Sequence, residues 1–170
     1  MTGKRAVYPG SFDPITIGHL DVAKRAAQLF EHVIIGIYLG SDKPGALFTH
    51  NDRIEMARDA VAHLGNVSVG SFSGLTVDFA RDQCADVIVR GLRAVSDFEY
   101  EFKLAHMNHH LAPDIEVVCL MTSSRNSFVS SSMIREVASL GGDVTGLVPP
   151  NVESILRQRF GAVAAERIGS

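Results

Sequence analysis

Thr16-Ile17-Gly18-His19 stands at the head of the first helical pattern in the chain, directly after Tyr8-Pro9-Gly10-Ser11-Phe12-Asp13-Pro14. The short run Arg5-Ala6-Val7-Tyr8 before it reads as a buried parallel strand, and apolar residues recur at helical spacing from Leu20 to Phe30. The stretch therefore predicts a strand-to-helix turn that handles phosphate. Its glycines would admit close backbone approach, Thr16 would cap the helix, and free N–H groups with the helix dipole would face an anion. His19, in the first helical turn, adds a ring donor. A tight connection without a ligand would use the same residue types, so the turn alone leaves both readings open. It is neither a Walker A loop, because Gly10 to Gly18 does not run into Lys-Ser or Lys-Thr, nor a GxGxxG turn.

Residues suited to phosphate recur at later strand ends. After Val33–Leu39, the turn Gly40–Gly45 carries Lys43, which stands where open α/β sheets bind ligands and is also an ordinary position for a solvated lysine. After Asp86–Arg90, the segment Arg90-Gly91-Leu92-Arg93 sets two guanidinium forks about a glycine, a match for phosphate oxygens unless both simply face water. After Ile115–Met121, Thr122–Ser132 places hydroxyls ahead of a helix from Met133 to Leu140, although capping alone needs one serine. Leu75 and Thr76 mark another junction, following the strand Val67–Val69. Glu101, on a helix from Phe98 to Leu111 near the arginines, could hold a ribose or an amine or be solvated. His106, His109 and His110 have the spacing of helical metal ligands, yet no Cys, Asp or Glu completes a set, and no metal held by protein side chains is expected.

Positioning these residues falls to five short apolar runs that alternate with helical patterns, which predicts one doubly wound, Rossmann-like α/β domain with a five-stranded parallel sheet and helices on both faces. The domain is expected over residues 1–160, with the last helix at Val152–Phe160 and a flexible tail at 161–170. The helix Phe98–Leu111 has apolar residues on two sides, Phe98, Phe102 and Ala105 on one and Tyr100, Leu104, Met107 and Leu111 on the other. One side would face the sheet and the other a second subunit, hence a homo-oligomer. At 170 residues, 46% hydrophobic and 21% charged, the chain can bury one core without metals or disulfides. A net charge of −3 supplies no basic field for nucleic acid. Cys84 and Cys119 read as buried thiols in a reducing compartment. The N-terminus lacks a signal peptide's apolar core and no 18-residue apolar run occurs, so a cytoplasmic protein without a membrane span is expected.

Tyr8–Pro14 with Thr16–His19, Arg90–Arg93 running into Asp97-Phe98-Glu99-Tyr100-Glu101, and Ser127–Ser132 together resemble the bacterial phosphopantetheine adenylyltransferase family of the nucleotidyltransferases, over about Lys4 to Phe160. The T-x-G-H and triple-serine patterns mark the wider group, and the arginine block is the more specific. The resemblance implies transfer of AMP from ATP to 4′-phosphopantetheine by direct in-line attack, giving dephospho-CoA and pyrophosphate, with Mg²⁺ carried on the nucleotide. It implies a catalytic group of His19, Lys43 and Arg93. It places ATP on Ser11, Phe12, His19, Gly91, Leu92, Arg93, Glu101 and Asn126, Ser127, Phe128, Val129, Ser130, Ser131 and Ser132. It places the acceptor on Ser11, Lys43, Leu75, Thr76 and Arg90. It further implies a hexamer and feedback by coenzyme A. Asn126 stands where the family carries an aromatic residue, and Thr76 where it carries an apolar one.

Overall fold

The computed structural model describes residues 3–40 and 46–168, with side chains to residue 161. The strands are β1 (Arg5–Gly10), β2 (His32–Tyr38), β3 (Val67–Phe72), β4 (Val87–Leu92) and β5 (Glu116–Met121). The helices are α1 (Ile17–Leu29), α2 (His50–Val61), α3 (Thr76–Asp82), α4 (Val95–Leu111), α5 (Ser131–Ser139) and α6 (Pro150–Ile168). All strand pairs are parallel, in the order β3-β2-β1-β4-β5. The chain thus winds outward from β1 through β2 to β3, then returns to the other side of β1, as the five apolar runs predict.

The reversal between β1 and β4 creates the opening. β1 keeps register with β2 from Arg5 to Gly10, but with β4 only through Ala6↔Val87 and Val7↔Ile88. Beyond those two pairs the carboxyl ends of β1 and β4 part, which is where doubly wound sheets hold ligands.

Strand alternation sorts the core into two layers. Ala6, Tyr8, Val33, Ile35, Ile37, Val87 and Val89 point to one face, covered by Val22 and Ala26 of α1, Met56 and Ala57 of α2, Ile134 of α5 and Leu156 of α6. Val7, Ile34 and Ile88 point to the other, covered by Val77, Phe79 and Ala80 of α3 with Ala112 and Ile115. Gly36 makes that second layer fit, because a Cβ there would lie 2.4 Å from the Phe79 ring, which stacks on Phe72 at 4.5 Å.

Several expectations change. The sheet covers neither apolar side of α4: the helix buries Glu101 and Asn108, while Phe98, Phe102, Tyr100 and Met107 are all more than half exposed. Cys84 and Cys119 are exposed, the first in the turn after α3 and the second on edge strand β5, where no strand lies beyond it. The final helix runs on from Phe160 to Ile168, because Ala-rich sequence after Gly161 has high helical propensity and one glycine only weakens it. α2 takes its cap from Thr49, whose hydroxyl accepts from the Asp52 N–H while Asp52 accepts from the Thr49 N–H. Lys43 lies outside the described residues. No helix among those described is long and apolar enough to cross a membrane.

Candidate active site

Thr16 caps α1, its hydroxyl accepting from the His19 N–H at 3.4 Å, while the Thr16 N–H donates to His19 Nδ1 at 3.0 Å. A backbone N–H can only donate, so Nδ1 is the unprotonated nitrogen and the proton of the neutral ring sits on Nε2. Burial, and secondarily the charge of Arg93, pull the His19 pKa down to about 4. At neutral pH His19 is therefore a neutral imidazole whose Nε2–H is left to donate. The Phe12 ring meets it edge-on at 4.9 Å, and Tyr8 in turn meets Phe12 edge-on at 5.4 Å. Burial drives the Tyr8 hydroxyl well above the usual phenol range, so it stays protonated.

Phe12 is buried and sits at φ 46°, a conformation uncommon for a non-glycine residue. A Cβ on Gly10 would come within 2.9 Å of the Phe12 ring. Gly10 thus makes room for an aromatic ring while itself lining the crevice. Gly18 lines the same crevice in the first turn of α1. Beside it the Ile17 N–H is taken by the Leu147 carbonyl at 3.1 Å and that of His19 by the cap.

Arg90 and Glu101 form a bidentate pair, Nε and Nη2 donating to the two carboxylate oxygens at 2.7 and 2.8 Å, while Nη1 donates to the Pro9 carbonyl at 3.1 Å. Burial would lower the Arg90 pKa, but the hydrogen bonds and charge of Glu101 outweigh it and hold the guanidinium more firmly charged than usual. Of its five N–H groups these bonds use three and leave two. Arg93 clasps Asp97 through its backbone N–H, Nε and Nη2 at 3.0 to 3.3 Å. Burial would raise the Asp97 pKa, and those Arg93 bonds overcome it and hold the carboxyl below its ordinary range.

The serine segment closes the other side. Ser130 caps α5 by accepting from the Met133 N–H at 3.2 Å, Ser131 Oγ donates to the Pro14 carbonyl at 2.8 Å, and the Ser123 N–H donates to Asp21 of α1 at 3.0 Å. The N-termini of α1 and α5 thereby border the same crevice, of about 410 Å³, lined among others by Ser11, His19, Arg90, Arg93 and Ser130–Ser132. Two positive dipole ends and two guanidinium groups, each held by a carboxylate, border one cavity, an arrangement suited to an anion.

Of the residues singled out in the sequence, Ser11, Phe12, His19, Arg90, Gly91, Arg93, Glu101, Val129, Ser130, Ser131 and Ser132 meet on this crevice. Leu92, Asn126, Ser127, Phe128, Leu75 and Thr76 are not among its lining residues. Leu75 is instead the exposed N-cap of α3, Phe128 projects into solvent, and Asn126 lies in a short 3-10 turn at Ser124–Asn126. Gly91 has a steric reason to be small: a Cβ would sit 3.2 Å from Val22 and 3.4 Å from the Tyr8 hydroxyl. Sequence reasoning placed Thr122 only within the hydroxyl-bearing segment Thr122–Ser132, and missed Asp13 and Asp21 as carboxylates that tie segments together. Nothing in local spacing marks them, since their partners lie far along the chain. Among the described residues no three His, Cys, Asp or Glu are grouped to hold a metal. His106 packs edge-on against the Phe102 ring at 4.5 Å.

A family model described as cytidylyltransferase-like matches residues 7–137. Among curated proteins the chain is similar to the phosphopantetheine adenylyltransferase of Thermomicrobium roseum, 60% identical over 164 residues, covering 95% of this chain and 98% of the relative. Among solved structures it is similar to "a Putative Nicotinate-nucleotide Adenylyltransferase" from Vibrio parahaemolyticus. That match has a TM-score of 0.68 and 19% identity over 90% of this chain and 97% of the other, a likeness of fold. The splayed β1–β4 crevice, the histidine at the head of α1 and the extent of this identity lead to one assignment: the chain belongs to the phosphopantetheine adenylyltransferases, nucleotidyltransferases of the cytidylyltransferase-like family.

Proposed function

We propose that this enzyme transfers AMP from ATP to 4′-phosphopantetheine, releasing pyrophosphate and giving dephospho-CoA, by in-line attack without a covalent enzyme intermediate. The observation that carries the proposal is the convergence of the neutral His19 ring, the heads of α1 and α5 and the paired arginines on one crevice.

The acceptor is a phosphate monoester whose second pKa is about 6, so at neutral pH it is largely a dianion and needs no general base. The barrier lies in bringing that anion onto the α-phosphate, and the remedy is fixed donors placed where charge develops. His19 Nε2–H donates to a phosphate oxygen, its ring locked by Thr16 and Phe12. The head of α5, with Ser130–Ser132, takes the pyrophosphate as it leaves. Arg90 keeps two donors for the acceptor phosphate while Glu101 holds its plane. Arg93, held to Asp97, adds positive charge beside His19, whose neutrality comes first from burial and then from that charge. Lys43 is assigned to the acceptor phosphate and the transition state, and Leu75 and Thr76 to the pantetheine arm. Mg²⁺ carried on the triphosphate would neutralise charge on the phosphoryl oxygens, and both oxygens of Glu101 are engaged by Arg90. Coenzyme A, which shares the pantetheine arm, is proposed to bind in the same crevice as a feedback inhibitor, and the cytoplasm is the proposed compartment.

We also assign the exposed α4 stripe of Val95, Phe98, Tyr100, Phe102 and Met107 to contacts between copies of this chain in a homo-oligomer, a hexamer as the family suggests. Light scattering that finds only an 18.4 kDa monomer at micromolar concentration overturns this assignment. The reaction itself is tested by pyrophosphate release from ATP with 4′-phosphopantetheine, nicotinamide mononucleotide or a simple phosphorylated alcohol as acceptor. Release with the first alone is expected. Release only with another acceptor, or ATP binding without release, removes the proposal.

A further inference from the structure

Asp13 lies between the phosphate turn and two other segments, and its own atoms join all three. Its carboxylate accepts from two successive N–H groups, Leu47 at 3.0 Å and Phe48 at 3.0 Å, just ahead of the Thr49 cap of α2. Its carbonyl accepts from Arg135 Nη1 of α5 at 2.6 Å, and the same nitrogen stands 3.5 Å from Asp13 Oδ2. The carboxylate is 8% exposed and the Arg135 side chain 30%, so the pair works in partial shelter from water. One residue further on, the Pro14 carbonyl accepts from Ser131 Oγ. The turn Asp13–Pro14 therefore carries α5 on two bonds and the entry to α2 on two more.

We propose that Asp13 and Arg135 are a positioning pair for the nucleotidyl transfer, setting the gap between the heads of α1 and α5 across which the triphosphate is held. Neither residue lines the crevice, but each is close in sequence to residues that do, Asp13 next to Phe12 and Arg135 four positions after Ser131. Two anion-binding helix ends act together only at one separation, since displacing a bound group by about 1 Å can reduce a rate by about 10²-fold. Arg135 is the one α5 side chain seen to reach the Asp13 carbonyl, and the two N–H groups of Leu47 and Phe48 fix the direction in which the carboxylate faces it. This inference rests on the proposed reaction only for its kinetic readout.

The test measures kcat, both KM values, ATP affinity by calorimetry and thermal midpoint for Arg135→Gln, Arg135→Lys and Asp13→Asn. Arg135→Gln is expected to lower kcat roughly 10- to 100-fold with a thermal midpoint within a few degrees of wild type, and Arg135→Lys to recover most of the loss. Asp13→Asn is expected to lower kcat likewise and to speed hydrogen exchange at the Leu47 and Phe48 amides. Folded Arg135→Gln protein with kcat, KM and ATP affinity all within twofold of wild type overturns the proposal, and that variant decides alone if Asp13→Asn does not fold. Absence of pyrophosphate release from the wild type would instead count against the reaction, and the ATP affinities of the same variants would still judge the pair.

Discussion

The two faces of the sheet are closed by different means. On one, α1, α2, α5 and α6 press side chains such as Val22, Met56, Ile134 and Leu156 onto the strands at 2% exposure or less. On the other, the seven-residue α3 seals part of the surface, while the longer α4 turns Glu101 and Asn108 inward and leaves its aromatic residues outside. The first face is a core that a single chain completes. The second uses its inward positions to hold Arg90 in place, at the expense of apolar burial. The crevice draws on both, with His19 and Ser130–Ser132 coming from helices of the sealed face and Glu101 reaching Arg90 from the open one.

The comparison breaks most visibly at Glu101. Glu101→Ala should destabilise the protein by about 3–5 kcal/mol, because it leaves a sheltered guanidinium without its carboxylate. Denaturant unfolding of Glu101→Ala beside wild type checks this, and an unchanged midpoint would mean that water compensates Arg90 freely. On the other face, His19→Ala should lower kcat by roughly 10² to 10³, equivalent to about 2.7–4 kcal/mol of transition-state stabilisation. Its thermal midpoint should fall by only a few degrees, because the change removes the His19 half of the Thr16 capping box and an edge contact with Phe12 but leaves the apolar core in place. Near-normal turnover would take His19 out of the mechanism.

Two milder changes sharpen the contrast. Ile134→Val, at 1% exposure, should cost about 0.5–1.5 kcal/mol of stability with no effect on assembly. Phe102→Ser, at 52% exposure, should change the stability of the isolated chain by less than about 0.5 kcal/mol while shifting the assembled protein toward monomer in light scattering. If Phe102→Ser destabilises as strongly as a core truncation without altering mass, the open face is a second core and not a contact surface.

The sealed face was the legible one. Near-continuous apolar runs gave all five strands, and Thr16 and the serines ahead of α5 were readable as caps because capping is a local matter of side chain and nearby N–H. The arginine pair could be placed at a strand end, but its bond to Glu101 could not be read from an 11-residue separation that crosses from β4 to the second turn of α4. Periodicity misassigned α4 because it weighs only apolar residues, whereas the residues that face inward here are a carboxylate and an amide. Asp13 was quoted as part of a motif, and its function as a junction depends on partners 34, 35 and 122 positions away. Short-range signals thus recovered the frame and much of the crevice lining, and missed how carboxylates hold that lining still.

The last expected effect concerns protons. His19 has a folded-state pKa of about 4 against an ordinary value of 6.5, so between those values the unfolded chain binds a proton that the folded one refuses. Stability from this group is therefore complete above about pH 6.5 and is lost as pH falls toward 4. The same shift separates two explanations of an acid limb in kcat/KM. A limb near pH 6 would belong to the second ionisation of the acceptor phosphate, at about 6, and not to His19, which is already neutral there. His19→Asn, which keeps a neutral donor, should then retain the limb at a reduced rate, and the His19 ring resonances of the free protein should not titrate until about pH 4. A ring that titrates near 6.5 would mean that solvent reaches it from the crevice, and the shelter that distinguishes the sealed face would end at Phe12.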